Sequence, residues 1–279
     1  MQLPDFTLVQ TATRKSGLDK AGDACTLVYI RAVAGPVSAI VAPTRIDRLF
    51  SRTPYMKQAK PQSEKKAGGR RYRGLTAEQL RAERRTRLLE TALSLYAERG
   101  YAGAPIEMLC AQAKVTTRHF YEQFKGREEL LRALFLDIQE QAWAQVQAAL
   151  QNPEQRLVRR VEDALAAYLR YVLDDPRRAR IVALESVGVS PEMERTRRES
   201  MHAFTNTVAL FAKELIGSKD LPDRDYRLPA VALVGAVLEL ISEWLLDEGE
   251  LTADGLIREA ILIFRALIIG AARYDEHFN

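Results

Sequence analysis

The chain has only two cysteines in 279 residues, Cys25 and Cys110, too few to staple a fold through disulfides. Cys110 sits on an apolar helical face, so it reads as a buried thiol in a reducing compartment. The three histidines, His119, His202 and His277, lie far apart, and none has a second His or Cys at metal-ligand spacing. No metal and no cofactor are therefore expected. There is no phosphate-cradling glycine loop, and no Ser/His/Asp or Cys/His set in a recognisable context, which argues against an enzyme. The n-region, h-region and cleavage pattern of a secretory signal is also missing. After Phe135 no alternating strand pattern occurs, so that half is expected to be all-α.

What is present is charge polarity. Residues 1–75 hold 14 Lys/Arg against 5 Asp/Glu, residues 76–127 hold 9 against 6, and residues 128–279 hold 18 against 26. The basic charge thus precedes and includes the central segment, while the remainder is acidic. Attraction to phosphates needs positive charge at a nucleic-acid surface, and an acidic remainder discourages unspecific wrapping.

The first 75 residues show no sustained helical or strand period. Thr26 to Ile40 is apolar enough for a strand or short helix but is interrupted by Arg31, Gly35 and Pro36. From Met56 the composition shifts to a Lys/Arg/Gly/Pro-rich arm, residues 56–75, without a core of its own. Met56 reads as the translation start, with residues 1–55 an upstream extension; a genuine accessory segment is the alternative. A basic arm is either simply solvated or functional. Here Arg70, Arg71 and Arg73 stand just before the first helix, where they suit a minor groove, and Tyr72 suits the sugar-phosphate backbone.

Thr76-Ala-Glu-Gln79 has capping-box spacing, which predicts a helix from there to about Glu98 with Gly100 as its stop. Leu88, Ala92, Leu95 and Tyr96 belong to its apolar stripe, and Arg81, Arg84, Arg85 and Arg87 are expected to stay outside. Pro105 to Leu131 then reads as short helix, tight turn, short helix and third helix. Ile106, Leu109, Cys110, Ala113, Val115, Phe120 and Phe124 take the packing offsets. Thr117, Arg118, His119, Tyr121, Gln123, Lys125 and Arg127 are polar or cationic and cluster on the second short helix and after it. Such groups suit base edges and phosphates, as on the recognition helix of a helix-turn-helix unit. Arg118 is the leading candidate for a guanine edge, with Glu122 four residues on placed to orient it. Arg127, at the start of the next helix, reads either as a surface ion pair or as a phosphate contact.

The run from Arg84 to Phe135 resembles the N-terminal domain of the TetR family of bacterial transcription regulators. The resemblance rests on LLETALSLYAERGYAGAPIEMLCAQAKV and on FYEQFKGREELL. The turn position where that family usually has Gly holds Lys114, implying either a strained positive-φ residue or a slightly different turn. The resemblance implies an all-α protein: an N-terminal three-helix helix-turn-helix domain, then a C-terminal helical ligand-binding and dimerisation domain. The expected division is 76–127 for DNA binding and 128–279 for effector binding and dimerisation.

Beyond Phe135 the periodicity predicts a long helix to Leu150, another opened by Pro153 and running to about Asp174, and one from Pro191 to Ile216. Leu228 to Leu246 and Leu256 to Ile269 are apolar nearly all round. A membrane span is disfavoured by Glu239 and Glu243, so these two helices are expected to be covered by a partner chain. The family resemblance implies that the partner is a second copy, giving a homodimer suited to a palindromic double-stranded DNA operator. Trp143, Tyr168, Tyr171, Phe204 and Phe211 are candidates to bound a small-molecule effector pocket, although each also reads as ordinary core. Glu185 reads as the partner of a nearby Arg rather than of a cationic ligand. The expected function is a cytoplasmic transcriptional repressor released by a small molecule. A TetR-like activator or a nonspecific architectural DNA-binding protein is the alternative.

Overall fold

The computed structural model describes residues 76–151, 155–247 and 251–273, which belong to one compact unit. Residues 70–73, the basic arm, the stretch before Met56, Cys25, Pro153 and His277 lie outside the described residues. Among the described residues there are helices and turns and no strand.

α1 (Ala77–Arg99) begins as the sequence predicts. The Thr76 hydroxyl accepts from Gln79 N at 3.2 Å, and the Gln79 side chain accepts from Thr76 N at 2.8 Å. It ends at Gly100, whose φ of +74° suits the residue without a Cβ. α2 (Ile106–Ala113), α3 (Thr117–Tyr121) and the start of α4 (Arg127–Leu150) complete the first unit. Leu88, Leu95, Leu109, Phe120, Phe124 and Leu131 fill its core with almost no exposure.

α4 is long because it serves two cores. Leu131, Phe135 and Ile138 pack in the first, and Ala142, Trp143 and Leu150 pack in the second. Its C-terminal carbonyl at Leu150 accepts from the buried Arg160 guanidinium, with Nε at 2.8 Å, a cation placed at the negative end of the helix dipole. α5 (Leu157–Leu173) runs alongside α4, and its buried Glu162 accepts two bonds from Arg265 at 2.6 and 2.8 Å.

α6 (Pro176–Arg180) leads into a π-helical turn, Ile181–Glu185, and then α7 (Pro191–Gly217). Ser190 caps α7 by accepting from Met193 N at 3.0 Å, with Pro191 at the first helical position. α8 (Arg227–Leu246) and α9 (Ala253–Ala272) close the bundle. Val237, Ile241, Leu256 and Phe264 are buried, while Leu228, Leu246, Leu262, Leu267 and Ile269 are exposed. α8 is long and apolar enough to cross a membrane by length and composition. Its Glu239 and Glu243 are both exposed.

Candidate nucleic-acid interface

The turn between α2 and α3 decides where the candidate reading residues point. Lys114 adopts the left-handed conformation, φ 53° and ψ 45°. Of the two outcomes left open by a Lys here, the chain takes the positive-φ one, and the turn is the ordinary left-handed helix stop. Val115 N donates to Cys110 O at 3.0 Å and closes it. Thr116 then caps α3, its hydroxyl accepting from His119 N at 3.3 Å.

α3 is only five residues long, too short to hold its shape alone. Phe120 and Phe124, 0% and 1% exposed, anchor it in the first core. With those rings inward, Thr117, Arg118 and Tyr121 are exposed on the other side. Tyr121 stands edge-on to Phe120, with ring centroids 5.5 Å apart, and remains 56% exposed. Arg118 Nε lies 3.4 Å from Glu122 Oε1, the pairing expected from their spacing, and its side chain is 86% exposed. Glu122 is shared: its other oxygen meets His119 Nδ1 at 2.9 Å, and that bond holds its carboxyl below the ordinary carboxylate range. Lys125 is exposed. Cys110 is buried beneath α3, which pushes its thiol up, so it is a poor nucleophile.

Three candidate assignments change in detail. Gln123 lies beyond the end of α3 and is half-buried; its Nε2 donates to Arg81 O at 3.1 Å, tying the recognition segment to α1. Arg127 turns Nη1 onto the carbonyls of Tyr101, Ala102 and Ala104 at 3.1, 3.3 and 3.2 Å, so it braces the loop between α1 and α2. The arginines of α1 are not all outside, because Arg84, Arg85 and Arg87 are half-buried. Arg85 stacks over the Phe124 ring at 4.6 Å, and Arg84 Nη1 reaches His119 Nδ1 at 3.5 Å. Arg84 thus joins the surface of α3, a placement that only the crossing of α1 and α3 determines.

A cavity of about 110 Å³ lies in the second core, between α4, α5, α7 and α8. Trp143, Tyr168, Phe204 and Phe211 line it. Phe204 meets Trp143 and Tyr168 edge-on, with centroids 5.5 and 5.1 Å apart. Tyr171 is not among the lining residues; it carries the Arg178 guanidinium over its ring at 4.2 Å. Burial pushes the Tyr168 phenol up to about 12, with a hydrogen bond from Gln139 opposing the shift. Sequence reading missed Gln139, the polar residue inside the buried stripe of α4. Its position one turn before Trp143 was the available signal.

The cavity touches the first unit through the π turn. Val182 lines the cavity and packs in the first core. Three residues on, Glu185 accepts from Tyr101 N at 2.7 Å and from Arg180 Nε at 3.0 Å. The arginine partner expected for Glu185 is present, and the backbone contact is additional. Among the described residues no group of His, Cys, Asp and Glu is arranged to hold a metal ion.

The sequence profile of bacterial regulatory proteins, tetR family, matches residues 88–134, from the middle of α1 into α4. The chain is 27% identical over 140 residues to the HTH-type transcriptional repressor DhaR of Mycobacterium sp. strain GP1, covering 49% of this chain and 67% of DhaR. Among solved structures, a TetR/AcrR-family transcriptional regulator from Thermobifida fusca superposes with a TM-score of 0.54 at 24% identity, covering 67% of this chain and 98% of that one. The transcriptional regulator FadR from Bacillus subtilis, in complex with stearoyl-CoA, superposes with a TM-score of 0.57 at 17% identity, covering 66% and 98%. The helix-turn-helix geometry and these likenesses agree: residues 88–134 match the DNA-binding segment of the tetR family of bacterial regulatory proteins, and about two thirds of the chain shares the fold of solved members of that family.

Proposed function

We propose that the chain is a sequence-specific transcriptional repressor that leaves its operator when a small molecule enters the cavity of the second core. The observation that carries the DNA reading is α3 itself: two buried phenylalanines fix it, and Thr117, Arg118 and Tyr121 are exposed on its outer face. In this reading Arg118 takes a guanine edge, Tyr121 and Lys125 take phosphates, and Thr117 and His119 complete the contact. Residues 76–127 are the DNA-binding domain, residues 128–279 the effector and dimerisation domain, and the arm arginines Arg70, Arg71 and Arg73 add minor-groove contacts.

The exposed leucines and isoleucines of α8 and α9 are covered by their twins in a C₂ homodimer. Two α3 helices then face successive major grooves, about one helical turn of DNA apart. Exposed Glu239 and Glu243 favour a protein partner over lipid for α8, and the protein works in the cytoplasm. The route from cavity to operator runs through Val182 and Glu185, because the same π turn lines the cavity and holds the backbone between α1 and α2. The repressor sense is supported by the likeness to DhaR, a repressor by name.

The test is selection of bound DNA from a random pool with the full-length protein at near-physiological salt. Enrichment of a pseudo-palindrome that is lost on Arg118→Ala is the expected result. Uniform affinity across sequences, with a steep salt slope, would instead make the chain a nonspecific architectural protein.

A further inference from the structure

The cavity of the second core is drawn out and almost wholly apolar. Its wall follows α7 from Arg197 to Phe211, about 21 Å of helix. The polar residues along its middle turn their hydrogen-bonding groups elsewhere. Thr207 donates to Ala203 O at 3.1 Å, the Gln139 side chain bonds the Tyr168 phenol, and Gln139 Oε1 and Trp143 Nε1 are buried in the packing. A second cavity, of about 390 Å³, continues along α7 to Leu215 and reaches α9. Val161, Val208, Phe211, Leu233 and Phe264 line both, so one layer of apolar side chains stands between them. A ring would fill one of these spaces; an unbranched chain, one methylene wide, can thread both.

The polar groups that line the first cavity gather at one end. Arg197 and Ser200 lie one turn apart on α7; the Arg197 side chain is 17% exposed and Ser200 6%. Arg197 Nη1 donates to Glu194 Oε2 at 2.8 Å, and Arg198 Nε donates to Glu194 Oε1 at 3.2 Å. One carboxylate thus serves two guanidinium groups, and the trio keeps a positive charge. A guanidinium has five N–H donors and a serine hydroxyl has one, so this end can hold a further acceptor beside Glu194. A carboxylate balances the charge and makes the strong, charge-assisted bonds of a guanidinium pair. An ammonium head would add to the positive charge instead.

We propose that the two cavities together bind an unbranched aliphatic carboxylate, its head on Arg197 and Ser200 and its chain laid along α7 past Val208 into the second cavity. The proposal deepens the effector reading above and rests on it for the consequence of binding, though not for binding itself. From Ser200 to Val208 is about 12 Å of helix. An extended chain gains about 1.2 Å per bond, so octanoate, about 8 Å long, stops short of Val208, and tetradecanoate, about 16 Å, passes it.

Calorimetric titration of the full-length protein compares octanoate, tetradecanoate, tetradecyltrimethylammonium and the compact adamantane-1-carboxylate, each below its self-association concentration. Burial is worth about fourfold in affinity per methylene, so tetradecanoate should bind at least about a hundredfold more tightly than octanoate. It should also bind at least about tenfold more tightly than the ammonium. Arg197→Met, which keeps the stem, should cut that preference to about threefold or less, and Ser200→Ala should reduce it by a smaller factor. Val208→Phe narrows the passage, and Ala212→Phe fills the second cavity, of which Ala212 is a lining residue. Each should erase most of the gain of tetradecanoate over octanoate, and if one fails to fold the other still decides. Equal binding of the two chain lengths, a gain that survives these variants, a preference for the ammonium or the compact acid, or no binding at all would overturn the assignment. Tetradecanoate binding by a protein that selects no operator would leave the cavity assignment standing and remove the regulator reading. An operator selected by a protein that binds no tetradecanoate would do the reverse.

Discussion

Glu185 is the residue to remove. It lies in the π turn with only 12% of its side chain exposed, and it makes two different bonds. Oε2 accepts from Tyr101 N at 2.7 Å, a charge-assisted bond across the junction between the bundle and the α1–α2 loop. Oε1 pairs with Arg180, whose side chain is 43% exposed, at 3.0 Å. The first bond is worth about 1.5–3 kcal/mol, since its acceptor is a carboxylate oxygen largely sheltered from solvent. The second is worth no more than about 1 kcal/mol, because solvent screens it. Glu185→Ala deletes both and should lower unfolding stability by about 1.5–4 kcal/mol. Glu185→Gln keeps an acceptor for Tyr101 N and should lose only about 1 kcal/mol. Urea unfolding followed by far-UV circular dichroism reads both values, and amide exchange reads the site. The Tyr101 amide should exchange faster in the alanine variant and near the wild-type rate in the glutamine variant. Equal urea midpoints for wild type and both variants, with Tyr101 exchange unchanged, would refute the account of this junction.

In the proposed reading, operator contacts fall to side chains on the exposed face of α3. Arg118→Ala should cost about 1–3 kcal/mol against the selected operator and relax preference at one base pair. Tyr121→Phe should weaken all sequences alike; fluorescence anisotropy against operator and scrambled duplexes separates the two behaviours. Arg265 and Arg159 hold the Glu162 carboxyl below its ordinary range, the Arg265 hydrogen bond contributing most. A depressed folded-state pKa means that this stabilisation is complete above the unfolded carboxyl's value of about 4.3 and fades as pH falls through the lower folded value. Glu162→Gln should therefore be less stable than wild type at neutral pH, and the gap should narrow as pH falls through that range. A gap that stays constant with pH in thermal unfolding would rule the linkage out. Lys114→Gly should raise stability by up to about 1 kcal/mol, since it removes a left-handed Cβ at φ 53° while adding freedom to the unfolded chain. A clear loss in unfolding free energy would show that the Lys side chain does more than occupy the turn.

The helix ends were readable because caps are local. The Thr76–Gln79 box, Gly100, and Pro191 at the head of α7 each act within four residues of themselves. The buried set of the first core was readable for the same reason, as its three- and four-residue offsets are written along single helices. What was not readable depends on how helices cross. Arg127 and Gln123 carry side chains suited to DNA, yet they bond to carbonyls of Tyr101 and Arg81, more than 25 positions away in the chain. Tyr171 is aromatic and lies one helical turn from the cavity wall, but its ring meets Arg178 instead. The π turn left no sequence mark at all. Its residues, Ile181–Glu185, include no glycine or proline, and the packing of Ile181 and Val182 into the first core accompanies its wider winding.

In α3 the side chains that hold the helix and those that face outward are different residues. Phe120, fully buried, does the first; Arg118 and Tyr121, mostly outside, are free for the second. Replacing the outward set leaves the anchoring ring and the Thr116 cap untouched, so under the proposed reading mutation can search new target sequences at almost no cost in folding. Two copies of such a gene can part company in what they read long before they differ in how they are built.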